Sequence, residues 1–91
     1  MDRQMKLRYS EDVDAIYVYL DSKRRRIEGT ESIPSAKSER LVDYTKDGTP
    51  VGIEILGTKN GIDVSGLPRA EEVAELLRAH GFTVLAGSGA A

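Results

Sequence analysis

Leu41-Val42-Asp43-Tyr44-Thr45-Lys46-Asp47-Gly48-Thr49-Pro50-Val51-Gly52-Ile53-Glu54-Ile55-Leu56 decides the fold: two apolar runs flank a polar centre, Lys46 to Thr49. Asp-Gly between such runs favours a two-residue type I′ hairpin, whose central residues both take positive φ. With Asp47-Gly48 as the loop, Val42 faces Ile53 and Tyr44 faces Val51, so four core-type side chains share one face. Asp43 and Glu54 then lie on the opposite face with Leu41 and Leu56. Turn and pattern agree, which supports this register. Pro50 has no N–H for a ladder, so its end of the strand belongs at an edge or just outside the pairing.

On the N-terminal side, Met5, Leu7 and Tyr9 alternate with Lys6 and Arg8, the period of a half-buried strand. Ser10 to Asp14 forms a turn. Ala15-Ile16-Tyr17-Val18-Tyr19-Leu20 is β-branched and aromatic, hence a second strand. Ile16, Val18 and Leu20 occupy one face of it; Tyr17 and Tyr19 occupy the other. Asp21 to Arg26 reads as a charged turn, and Ile27 to Ile33 as a weaker strand closed by Pro34. The small, polar run Ser35 to Arg40 reads as a loop.

On the C-terminal side, Thr58 to Gly66 is turn-rich. A helix is expected from Pro68, with Glu71 and Glu72 near the positive end of its dipole. Val73, Leu76, Leu77 and His80 follow helical spacing, and Gly81 terminates it. Phe82 to Leu85 reads as a short last strand, and residues 86–91 as a flexible tail. The expected architecture is one α+β domain over residues 1–85: an antiparallel β-meander of four or five strands with one C-terminal helix packed on one face.

Composition narrows the function. The chain has 91 residues, 13 basic and 15 acidic, a net charge of -2, no cysteine and a single histidine. Near-neutral charge removes the simplest electrostatic case for a nucleic-acid or membrane-surface protein. Without cysteine there is no disulfide scaffold, thiol nucleophile or thiolate metal site. No apolar run reaches the roughly 18 residues of a membrane span, and the N-terminus lacks a signal-peptide core, so a cytoplasmic location is expected. A chain this small buries a limited core, which points to self-association as a homodimer.

Lys6-Leu7-Arg8-Tyr9 followed by Asp14-Ala15-Ile16-Tyr17-Val18, and Val42-Asp43-Tyr44, Asp47-Gly48 and Val51 to Leu56, together resemble the short bacterial domain of unknown function 2283. The likeness spans about residues 5–57. Ser10 and Thr45 depart from it where acidic residues are common, and Pro50 stands in place of a small aliphatic residue. The Ser35–Arg40 loop is longer and more polar. The resemblance implies a compact β-meander, marks Asp14, Asp43 and Glu54 as acidic motif positions, and carries no established activity. A place beside small toxin-like partners is its one functional hint.

Among candidate sites, Glu11-Asp12-Val13-Asp14 has the carboxylates but not the glycine and distal glutamate of a calcium loop, so turn chemistry is expected there. Asp43 and Glu54 form a paired-acid candidate, without a nucleophile or cofactor loop nearby. His80 suits the end of a helix. Lys23, Arg24, Arg25 and Arg26 are the basic run and the candidate anion or nucleic-acid contact. Tyr17 and Tyr19, with Leu41 and Leu56, form the candidate protein interface, because tyrosine combines apolar area with a polar tip. The expected function is non-enzymatic protein binding, with a regulatory or antitoxin-like role toward another small protein as its finer form. A nucleic-acid-binding accessory protein using Lys23 to Arg26 is the alternative, and an enzyme of unrecognised type the third. No cofactor, metal, catalytic residue or membrane partner is expected.

Overall fold

The computed structural model describes residues 5–21 and 25–85. Five strands, β1 (Lys6–Ser10), β2 (Ala15–Tyr19), β3 (Gly29–Ile33), β4 (Glu39–Tyr44) and β5 (Pro50–Leu56), precede one helix, α1 (Ala70–Ala79). All strand pairs are antiparallel, in the order β1-β2-β5-β4-β3. A β1–β2 hairpin and a β3–β4–β5 meander thus join through β2 and β5. This is the α+β architecture expected of the sequence. No helix among the described residues is long and apolar enough to cross a membrane.

The period-2 pattern sorts the side chains as expected. Ile16, Val18, Leu20, Val42, Ile53 and Ile55 are buried in one cluster with Val73, Ala74 and Leu77 of α1. Three further members, Ile62, Val64 and Leu67, come from the segment between β5 and α1. Turn residues dominate the sequence there, yet its apolar side chains close the core. Phe82 to Leu85 does not extend the sheet. Val84 makes an isolated parallel bridge with Ile62, held by bonds from the Ile62 N–H to the Thr83 carbonyl and from the Leu85 N–H to the Ile62 carbonyl.

The central hairpin differs from a type I′ turn. Only Gly48 has positive φ, at 85°, and its N–H bonds to the Thr45 carbonyl while the Thr45 N–H bonds to that of Thr49. This is a three-residue loop with glycine in the left-handed position. It sets Tyr44 opposite Pro50 rather than Val51. A bulge between Asp43 and Tyr44 then restores the expected pairing of Val42 with Ile53. Pro50 is the first residue of its strand, where a missing N–H is tolerated.

α1 begins at Ala70, later than Pro68 suggests. Arg69 takes a left-handed conformation before it, donating from Nη1 to the Leu20 carbonyl at 2.7 Å and from Nε to Glu72 at 2.6 Å. The helix so starts from an anchor on the end of β2. Its far end is a Schellman motif. The Phe82 N–H bonds to the Leu77 carbonyl and the Gly81 N–H to that of Arg78, with Gly81 at φ 88°. His80 is exposed, its Nδ1 lying 3.0 Å from the Leu76 carbonyl.

Arg40 corrects the sequence reading most. Instead of ending a polar loop, it lies within β4 on the helix side and is only 1% exposed. Its Nε and Nη2 donate to the Ile33 carbonyl, Nη2 also to that of Pro34, and Nη1 to those of Asp63 and Ser65, both at 2.7 Å. All five guanidinium N–H groups therefore have acceptors. Burial pushes its pKa down, and the nearby Asp63 carboxylate opposes that shift.

Two stability measurements check these assignments. Arg40→Met, which leaves four carbonyls without this donor, is expected to lower urea-unfolding stability by about 3 kcal/mol or more, with Arg40→Lys intermediate. An unchanged midpoint for both would remove the clamp. A Cβ at Gly48 meets nothing within 4 Å, so any cost of Gly48→Val is a backbone cost. It is expected to exceed about 1 kcal/mol, and an unaltered melting curve would contradict the turn.

Candidate functional site

The sheet has a second face, formed by the alternate side chains that point away from α1. The ladder aligns Arg8, Tyr17, Glu54, Leu41 and Ser32 in one row across all five strands. Lys6, Tyr19, Gly52, Asp43 and Thr30 form the neighbouring row. Ser10, Ala15, Leu56 and Glu39 form a third. No described helix or strand covers this face. A depression of about 460 Å³ on it is bordered by Arg8, Tyr17, Tyr19, Ile27, Asp43 and Glu54.

Tyr17 organises the face. From β2 it crosses β5 diagonally and donates its hydroxyl to Asp43 Oδ2 on β4 at 2.6 Å. It can do so because residue 52 is glycine: a Cβ there would lie 1.8 Å from the Tyr17 hydroxyl oxygen. Thr30 on β3 donates to the other Asp43 oxygen at 2.7 Å, so the network runs over four strands. Burial, followed by the bond to Asp43, pushes the Tyr17 phenol far above its usual range and keeps it a donor at any physiological pH. Tyr19 packs edge-to-face on Tyr17 with ring centroids 4.8 Å apart and is 37% exposed.

The candidate interface residues therefore share one face: Tyr17 and Tyr19 at the depression, Leu41 beside Glu54, and Leu56 at the far end. Asp43 and Glu54 share it too, but Asp43 serves as an acceptor for Tyr17 and Thr30. Asp14 lies elsewhere. It turns the β1–β2 hairpin in a left-handed conformation, φ 53°, which aspartate tolerates better than most residues. Its carboxylate accepts from the Tyr9 hydroxyl at 2.8 Å, the Thr58 hydroxyl at 2.7 Å and the Thr58 N–H at 2.9 Å. The bonds from Thr58, then that from Tyr9, hold the Asp14 carboxyl below the ordinary range.

The basic run contributes little that can be placed. Lys23 and Arg24 lie outside the described residues. Arg26 pairs with Glu28 at 3.0 Å, and Arg25 lies 3.8 Å from Asp21. A second, polar hollow of about 590 Å³ lies between residues 32–39 and 56–61, with Lys37 and Lys59 at its rim. Sequence reasoning missed Gly52, Thr30 and Ile27 as members of the uncovered face. The one available signal was a glycine inside an otherwise β-branched strand, which marks a close approach.

A family model described as "Protein of unknown function (DUF2283)" matches residues 6–59, which contain all five strands. The chain belongs to this family. No curated protein and no solved structure matches it. The family match thus covers the uncovered face in full and stops before Ile62, Val64, Leu67 and the helix, which close the opposite one.

The Asp14 hub has a measurable signature. A carboxyl whose folded pKa is lowered stabilises the native state above its unfolded pKa, and that contribution drains as pH falls below about 4 toward the lower folded value. Asp14→Asn removes the titration while keeping an acceptor and a side chain that tolerates the turn. The variant is expected to lose less Tm than the native chain between pH 7 and pH 3. An equal loss would place the acid sensitivity elsewhere.

Proposed function

We propose that this domain is a non-enzymatic protein-binding module acting through the uncovered face of its sheet, with a regulatory or antitoxin-like role toward another small protein as the finer form. The observation that carries the reading is the Tyr17–Tyr19 pair on a face that no described element covers. A sheet buries each apolar face against another layer, and here α1 lies on one face while no described helix or strand lies on the other. Tyrosines held rigidly by their neighbours suit contact with a partner, since little side-chain entropy is left to lose. The bonding of Asp43 supports binding: its carboxylate is already engaged by the hydroxyls of Tyr17 and Thr30. The location that follows from this reading is the cytoplasm.

Affinity capture with the full chain as bait in its source cells tests the proposal. Tyr17→Ser combined with Tyr19→Ser is expected to weaken a captured protein by about tenfold or more with a near-native far-UV spectrum, as anchors of this kind often carry over 2 kcal/mol. Reversing the charges of Lys23 to Arg26 is expected to leave that capture intact. Normal capture by the tyrosine variant, together with steeply salt-dependent duplex binding lost on charge reversal, would overturn the proposal in favour of nucleic acid.

A further inference from the structure

The uncovered face is divided by charge. Its β1 edge carries Lys6 and Arg8, both exposed. Beyond the tyrosines of β2, its other half carries Glu54 on β5 and Asp43 and Glu39 on β4. The ion pairs of the described residues leave Lys6, Arg8, Glu39 and Glu54 without partners. A basic strip and an acidic strip thus flank an aromatic centre on one surface. Such a surface is complementary to itself under a twofold rotation.

We infer that the partner seated on this face is a second copy of the chain, packed sheet against sheet about a twofold axis between β2 and β5. The inference rests on the binding-module reading and names its occupant. An axis parallel to the strands and lying between the two sheets lays β1 of one copy over β4 of the other, and β2 over β5. Lys6 then meets the partner's Asp43, and Arg8 meets the partner's Glu39 and Glu54. Tyr19 comes down over the partner's Gly52, where the partner's Tyr17 ring lies flat across the sheet. Every contact occurs twice, as an isologous interface requires. Facing sheets align to within about 30°, so strand-over-strand registration holds across a patch of this width. The charged strips set orientation and register, while the tyrosines supply the dry centre.

Sedimentation equilibrium of the full chain tests this. At micromolar concentration the native chain is expected at twice its 10.0 kDa mass, with dissociation increasing in high salt. Lys6→Glu with Arg8→Glu makes both strips acidic, and Glu39→Lys with Glu54→Lys leaves Asp43 as the one acid of the two strips. Each double variant alone is expected to dimerise about tenfold or more weakly, whereas their equimolar mixture returns to the dimer mass. One chain carrying all four changes is expected to dimerise again, so a folding defect cannot mimic the pattern. A native chain that stays monomeric, variants that dimerise normally, or a mixture that stays monomeric would each overturn the inference. A monomer that still captures another protein through Tyr17 and Tyr19 would sink the self-association alone and leave the binding-module reading standing.

Discussion

The guanidinium of Arg40 is the constraint on which the closed side of this domain depends. The segment that follows β5 must cover the sheet, yet it has turns rather than a ladder to satisfy its backbone. Arg40 supplies donors to the carbonyls of Asp63 and Ser65 from that segment, and to those of Ile33 and Pro34 at the end of β3. It therefore ties the strands to their cover at a point where apolar contact alone would leave polar atoms unpaired. Around it, Asp63 accepts from the hydroxyls of Ser35 and Ser65. Ile62 and Val64 can be buried because the groups between and beside them are paired.

Much of the fold was legible because strand alternation and helical spacing are local signals. Ile16, Val18, Val42, Ile53 and Leu77 could be assigned to the core from their neighbours in sequence. The hairpin turn was legible only in part. Asp-Gly marks a turn, but the choice between two- and three-residue loops depends on a bulge that compensates the register, and no local residue announces it. Arg40 was not legible at all. An arginine after a serine-rich stretch has the look of a solvated loop, and only the convergence of carbonyls from residues 33, 34, 63 and 65 makes burial favourable. The candidate site was legible as a set of residues. The reach of Tyr17 across Gly52 to Asp43 was not, because it needs the order β2-β5-β4.

The extent of the family match bears on what the family region requires. Residues 6–59 include the whole sheet, but among the described residues six of the twelve buried apolar side chains lie beyond it: Ile62, Val64, Leu67, Val73, Ala74 and Leu77. In this chain the sheet is thus not self-sufficient. Its helix-side face is completed by sequence outside the family region, while its other face is set wholly by sequence within it.

Gly52 gives that second face its relief. Sheets that pack face to face stand about 10 Å apart, which leaves room for a single interleaved layer of side chains. A tyrosine standing upright at the centre would be a post holding two such surfaces apart. With no side chain at residue 52, Tyr17 lies down along the sheet, and its hydroxyl is spent on Asp43 rather than offered to water. The centre is consequently a depression of about 460 Å³ bordered by Arg8, Asp43 and Glu54, a shallow dish rather than a ridge. Any side chain at residue 52 would tip the ring upward and turn the dish into a mound, changing which surfaces can come near without altering a single charge.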